Sequence, residues 1–168
     1  MIKYPKLIYL NILPLFIILL SMIAFSSCGQ SVNNNSNQDY DVQRTDAEWR
    51  AQLSVEEFNI LRNKGTERAF SGKYVDWDHK GTFNCKACNN PLFSSDTKFE
   101  SGTGWPSFYD YYNENSIIEK TDNSHGWARI EIVCQKCGSH IGHVFEDGPK
   151  PTGLRYCMNS LALTFEAE

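Results

Sequence analysis

The chain has 168 residues, 20 of them acidic and 16 basic, and a formal net charge of −4. Hydrophobic residues make up 41% and aromatic residues 13%, which is enough for the core of one folded domain. The acidic balance argues against nucleic-acid binding as the main role, because nucleic-acid-binding domains concentrate basic charge.

Residues 1–27 have the pattern of a secretory signal. Lys3 and Lys6 precede an apolar stretch over residues 7–25, and small residues come directly before Cys28. This arrangement resembles a bacterial lipoprotein signal, in which the cysteine becomes the lipidated first residue. We therefore predict an exported lipoprotein of a bacterial cell envelope, anchored to the membrane through Cys28. An uncleaved membrane anchor stays open, because the apolar stretch is almost long enough to span a bilayer.

Residues 28–44 are rich in Asn, Ser and Gln and have almost no apolar side chains. Such a segment cannot bury enough surface to fold, so we predict a flexible tether leading to a folded domain at residues 45–168.

Two capping boxes, at residues 45–48 and 54–57, predict two short helices at the start of this domain. The first helix is expected to end near Leu53 and the second near Gly65. Apolar residues of the second helix recur at helical spacing: Val55, Phe58 and Leu61.

Short apolar runs between turn residues follow, and no long helical pattern separates them. The sequence therefore predicts a mainly antiparallel β domain from about Thr66 to Phe165. The last two runs show the alternation of half-buried strands. The four predicted strands cover residues 81–84, 89–93, 128–133 and 160–165.

Two C-x-x-C pairs, Cys85 with Cys88 and Cys134 with Cys137, supply the ligand set of a tetrahedral zinc site. Four thiolates close such a site, so the metal is expected to be structural. The long interval between the pairs means that it would join two distant segments. Two disulfides in an exported protein and a thioredoxin-like redox pair remain alternatives.

Cys157 is left over from the four-ligand set and is a candidate nucleophile. Arg155 is close enough in sequence to favour its thiolate, and Asn159 would share its face on a strand. His140 and His143 lie just after the second pair, where the predicted zinc site would hold them. A buried core cysteine is the alternative interpretation of Cys157.

A loop rich in glycine, residues 101–108, carries Trp105 and Phe108. Its glycines and its proline constrain the backbone, which is typical of a loop that serves a pocket, and the alternative interpretation is that the two rings belong to the core.

These runs together resemble the B-type methionine sulfoxide reductases. The resemblance spans about residues 45–166, and it is carried by residues 98–108, the two cysteine pairs, residues 140–149 and residues 152–160. It implies two antiparallel sheets with short N-terminal helices and a structural zinc site of four cysteines. It also implies reduction of the R epimer of methionine sulfoxide in oxidised proteins.

The resemblance also implies roles for single residues. Cys157 would attack the sulfoxide sulfur and become a sulfenic acid. His143 would supply a proton or orient a water, with His140 and Asn159 as polar partners. Trp105 would pack against the substrate methyl group. The remaining residues expected at the substrate site are Phe108, Arg129 and Glu131.

Two positions depart from the family pattern. Thr103 stands where many relatives have the cysteine that resolves the sulfenic acid, so a thioredoxin-like partner or a small thiol is expected to reduce Cys157 directly. Trp127 stands where methionine is common. A non-catalytic zinc module that binds a protein and a thiol–disulfide exchange protein are the competing functional interpretations.

Overall fold

A computed structural model of the protein describes residues 39–124 and 126–168. The predicted signal and lipidation site, residues 1–28, lie outside this part of the chain. No helix within it is both long enough and apolar enough to cross a membrane.

Two short helices begin the domain, each at one of the capping boxes. Helix α1 spans Asp46–Gln52 and helix α2 spans Val55–Asn63, with Thr45 and Ser54 as the N-caps. Each box satisfies two backbone amides and contributes about 1 kcal/mol to helix stability. The buried face of α2 carries Phe58, Ile60 and Leu61, whereas Val55, the first residue of the helix, is exposed.

Within residues 39–124 and 126–168, nine strands form two antiparallel sheets, as the family resemblance implied. The smaller sheet has the order β2-β1-β9, and the larger has the order β3-β4-β8-β7-β6-β5. The strands span Gly81–Cys85 (β1), Pro91–Ser94 (β2), Lys98–Phe99 (β3), Ser107–Phe108 (β4), Ile117–Asp122 (β5), Arg129–Cys134 (β6), His140–Phe145 (β7), Arg155–Met158 (β8) and Leu163–Ala167 (β9).

Two of the sequence predictions about strands need correction. The run at residues 160–165 begins as a 3₁₀ turn over Ser160–Ala162, because the carboxylate of Glu67 accepts the amides of Ser160 and Leu161 and keeps them out of the sheet. Strand β6 does not alternate in burial, because its Glu131 is buried in an ion-paired cluster.

Two residues that precede the predicted boundary at residue 45 contact the folded domain. The amide of Val42 donates to the carbonyl of Lys136 at 2.9 Å, and the ring of Tyr40 lies against Gly138. These contacts attach the end of the predicted tether to the turn that carries the second cysteine pair.

Aromatic side chains between the sheets make much of the core. Phe83 of β1 and Phe93 of β2 pack against Phe108 of β4 at ring-centroid distances of 5.0 and 4.5 Å. Tyr156 of β8 extends the group, and α2 packs against β7. The core thereby supports β7 and β8, the two strands that carry most of the candidate site.

Candidate active site and metal centre

Strand β8 places Cys157 between β4 and β7. In the sheet register it lies opposite Ser107 on one side and His143 on the other. Gly142 is required beside it, because a Cβ there would lie 2.1 Å from the carbonyl oxygen of Cys157. The absence of a side chain at residue 142 therefore permits the close approach of these strands.

Opposing influences act on the Cys157 thiol. Burial raises its pKa, whereas the positive charge of Arg155 and a hydrogen bond from Thr103 oppose the rise. The Thr103 Oγ1 lies 3.9 Å from the Cys157 Sγ. Arg155 also pairs with Asp147, through two hydrogen bonds of 2.8 Å. Arg155 therefore favours the Cys157 thiolate, as predicted, but it also pairs with Asp147. Burial raises the pKa of Cys157 by more than Arg155 lowers it.

A cavity of about 150 Å³ opens beside Cys157. Five of the predicted site residues line it: Trp105, Arg129, His143, Cys157 and Asn159. Four others complete the lining: Thr66, Gly142, Phe145 and Met158. Trp127, whose identity departs from the family pattern, is exposed and does not line the cavity.

His143 is held by a carboxylate that the sequence analysis did not identify. Its Nε2 lies 2.8 Å from Oδ2 of Asp122, and the same oxygen accepts a 2.7 Å hydrogen bond from Arg129. Burial lowers the pKa of His143, and the contact with Asp122 opposes that effect. Hydrogen bonds from Ser124, followed by that from His143, lower the pKa of Asp122. His143 is therefore a neutral imidazole at neutral pH, orientated by an ionised Asp122.

His140 and Glu131 are not among the residues that line the cavity. Nδ1 of His140 lies 2.8 Å from Oε1 of Glu131, and Lys64 donates to Oε2 at 2.7 Å. Both His140 and Glu131 are buried, and the His140 ring centroid is 5.3 Å from that of His143. Burial would raise the pKa of Glu131, but its bonds to His140 and Lys64 lower it. This second pair supports the strand that carries His143.

Trp105 and Asn159 are joined through the backbone of Glu67. The indole of Trp105 donates to the Glu67 carbonyl at 3.1 Å, and Oδ1 of Asn159 accepts the Glu67 amide at 3.0 Å. The Asn159 amide also donates to the carbonyl of Ile141 at 3.1 Å. Glu67 thus fixes two walls of the cavity, although no local pattern in the sequence identifies it.

Phe108 does not occupy the position that the sequence analysis gave it. Its side chain is fully buried and stacks on Phe93, away from the cavity lining. Of the two aromatic residues on the loop at 101–108, Trp105 faces the site and Phe108 belongs to the core.

The four cysteines of the two C-x-x-C pairs form one cluster whose Sγ atoms all lie within 4.8 Å of one another. The Sγ–Sγ separation is 3.8 Å for Cys85 and Cys137 and 3.6 Å for Cys88 and Cys134. A tetrahedral ion with Zn–S bonds of about 2.3 Å requires sulfurs about 3.8 Å apart, so the cluster fits zinc. None of the described cysteines is in a disulfide.

Equivalent turns build the two halves of this cluster. The residue that follows the second cysteine of each pair has a positive φ. This angle is 59° for Asn89 and 69° for Gly138. The amide of this residue donates at 2.8 Å to the carbonyl of the first cysteine of the pair, Cys85 or Cys134. This reversal points both sulfurs of a pair the same way. The cluster can therefore hold one metal ion between the turn after β1 and the turn after β6.

Comparison with known proteins identifies the family of this chain. Residues 53–167 match the family model described as the SelR domain. The chain is 58% identical over 127 residues to a peptide methionine sulfoxide reductase MsrB from Thiobacillus denitrificans, covering 74% of this chain and 95% of that protein. It is 53% identical over 130 residues to one from Leptospira interrogans, covering 77% and 99%. It is 55% identical over 127 residues to one from Methanosarcina barkeri, covering 76% and 89%.

Proposed function

This chain belongs to the SelR-domain family of peptide methionine sulfoxide reductases, and on that premise we propose that it reduces the R epimer of peptide-bound methionine sulfoxide through Cys157. One observation carries the proposal: the Cys157 sulfur adjoins a cavity of about 150 Å³ that is also lined by Trp105 and His143. This volume is well below the range of about 300–1,000 Å³ for drug-sized ligands and suits a single side chain.

In the proposed reaction, the Cys157 thiolate attacks the sulfoxide sulfur. One proton reaches the sulfoxide oxygen, the S–O bond of the substrate breaks, and the oxygen ends on the cysteine sulfur as the hydroxyl of the sulfenic acid. The products are a methionine thioether and a Cys157 sulfenic acid, so the two electrons gained by the substrate come from the cysteine. Trp105 packs against the substrate methyl group, which helps to select one epimer.

His143 is proposed to orient a water rather than to act as a cation at neutral pH, because burial lowers its pKa. If the ring donates from Nε2 to Asp122, its Nδ1 is left as an acceptor. A water that donates one hydrogen to Nδ1 can donate its other hydrogen to the sulfoxide oxygen as a hydrogen bond, and the one proton that the reaction consumes comes from solvent through this water. His140 and Glu131 support this arrangement as positioning residues.

An external thiol is proposed to regenerate Cys157. The hydroxyl of Thr103 lies beside the sulfur, at the position where many relatives have a resolving cysteine, and the four other described cysteines form the metal cluster. A thioredoxin-like dithiol or two small thiols would reduce the sulfenic acid, giving a disulfide, water and the free Cys157 thiol. The metal is proposed to be a structural zinc ion.

The cellular role is proposed from the sequence alone. A signal ending before a lipidated Cys28 would place the enzyme in a bacterial cell envelope, where it would repair oxidised exported proteins. Mass spectrometry of the mature N-terminus tests this part separately. A lipidated Cys28 would support it, and an unmodified Met1 would contradict it.

The enzymatic proposal is tested with separate R and S epimers of a methionine sulfoxide peptide, using dithiothreitol and thioredoxin in turn. We expect turnover of the R epimer alone. Cys157→Ser should abolish turnover and retain the metal content and thermal midpoint of the parent. Full activity in that variant would remove Cys157 from the mechanism, and equal turnover of both epimers would remove the selectivity.

A further inference from the structure

Phe70 has an unusual combination of backbone and exposure. Its φ is 63°, in the left-handed region that bulky side chains rarely adopt, and its side chain is 72% exposed. Strained backbone of this kind persists where the surrounding structure holds it, and it is frequent at ligand-binding sites. A solvated phenylalanine gains little from burial in this conformation, so the position calls for a specific explanation.

Contacts with Gly104 hold Phe70 in place. The Phe70 amide donates to the Gly104 carbonyl at 2.7 Å. The ring lies so close to this glycine that a Cβ there would be 2.8 Å from the ring carbon Cδ2. One side of the aromatic ring is thus fixed against the loop, while most of the side chain faces solvent.

Phe70 does not line the active-site cavity but contacts the loop that forms part of its wall. Gly104 lies between Thr103, whose hydroxyl is 3.9 Å from the Cys157 sulfur, and Trp105, which lines the cavity. A second hydrogen bond, from the Trp105 indole to the Glu67 carbonyl, joins the same two segments. The exposed ring of Phe70 therefore packs against the loop at residues 101–108, which forms one wall of the cavity.

A peptide substrate is larger than the cavity. The cavity volume of about 150 Å³ suits one side chain, so the residues on either side of the methionine sulfoxide remain outside. Resting on the proposed function, we propose that the exposed face of Phe70 is a subsite for an apolar side chain next to the methionine sulfoxide. The ring has no charge, and burying an apolar neighbour against it removes apolar surface from water.

Three substrates distinguish an effect on binding of the neighbouring side chains from an effect on the reduction step. These are N-acetyl methionine sulfoxide amide, a capped tripeptide with methionine sulfoxide between two leucines, and the same tripeptide with two serines. The parent enzyme should prefer the leucine peptide over the serine peptide. In Phe70→Gly, which tolerates the positive φ, kcat/KM for the leucine peptide should fall roughly fivefold to tenfold. The other two substrates should be little affected.

Two variants serve as controls. Phe70→Tyr keeps the ring face and should retain the preference for the leucine peptide. Val55→Ala removes an apolar side chain that is 82% exposed on α2 and should change none of the three substrates. Thermal midpoints of all variants verify that they are folded.

Three other outcomes would contradict the proposal that Phe70 forms a subsite. An equal loss in Phe70→Gly on all three substrates would mean that the ring only supports the loop carrying Trp105. Unchanged kinetics on all three would mean that the ring does not contact substrate. Absence of turnover of every substrate by the parent enzyme would refute the proposed function first, and the subsite with it.

Discussion

Replacing Thr103 by valine tests how the protein sets the reactivity of Cys157. The hydroxyl of Thr103 lies 3.9 Å from the sulfur and favours its thiolate, in opposition to burial. A valine has nearly the same shape and cannot donate a hydrogen bond. The pKa of the Cys157 thiol should therefore rise in Thr103→Val, and less thiolate should be present at neutral pH.

The length of this contact sets the expected magnitude. Hydrogen bonds to charged groups contribute about 1.5–3 kcal/mol at ideal geometry, so we assign about 0.7–1.4 kcal/mol to this long one. This energy corresponds to a thiolate population roughly threefold to tenfold smaller. A thiolate of higher pKa is more nucleophilic, which offsets almost half of the effect on a logarithmic scale. The alkylation rate at neutral pH should therefore fall about twofold to fourfold.

The assay is alkylation of reduced, metal-loaded protein by iodoacetamide across a pH series, followed by mass spectrometry of the peptide that contains Cys157. The nearby Arg155, Asp147 and His143 are unchanged, so a shift reports the hydroxyl. Thr103→Ser retains a donor and should give the parent profile. If the profiles of Thr103→Val and the parent coincide, the hydroxyl does not stabilise the thiolate and the reasoning is refuted.

Three other perturbations test the metal and the two carboxylate–histidine pairs. Removing the metal with a chelator should lower the free energy of unfolding by at least about 3 kcal/mol, since the cluster joins two distant turns; an unchanged denaturation midpoint would contradict a structural role. Asp122→Asn permits the wrong tautomer of His143 and should lower kcat about tenfold or more with little change in KM; unaltered kcat would refute the proposed role of Asp122. Glu131→Gln should destabilise the protein by about 1–3 kcal/mol at pH 7. Because the folded-state pKa of Glu131 is lowered, the parent loses this advantage as the pH falls below about 4.3, so a stability difference that stays constant in acid would contradict the ion-paired cluster.

Local interactions explain why parts of the fold were accessible from the sequence. The capping boxes at Thr45 and Ser54 depend on residues three positions apart, and the structure contains both. The cysteine turns depend on five consecutive residues each, so the spacing alone indicated a four-sulfur cluster. The same reasoning failed at residues 160–165, because the carboxylate that redirects those amides comes from Glu67, far away along the chain.

Family motifs indicated most of the candidate site but not its geometry. Trp105 and Phe108 are three residues apart on one constrained loop, and nothing in their sequence distinguishes a cavity wall from a core side chain. The pairing of β4 with β8 decides this by burying Phe108 against the smaller sheet. Asp122 was missed because its partner His143 is 21 positions away and meets it only across β6.

The sequence by itself determined the chemistry that the folded domain carries: four thiols with metal-ligand spacing, the further thiol of Cys157, and the motifs of a sulfoxide reductase. Only the tertiary structure decided how these groups are tuned. The pKa values of Cys157 and His143 depend on burial and on contacts that the fold brings about, with Thr103 and Asp122 respectively, and Phe70 is held at its positive φ by its contact with Gly104. These contacts join residues that are distant in sequence, so the spacing of residues along the chain does not predict them.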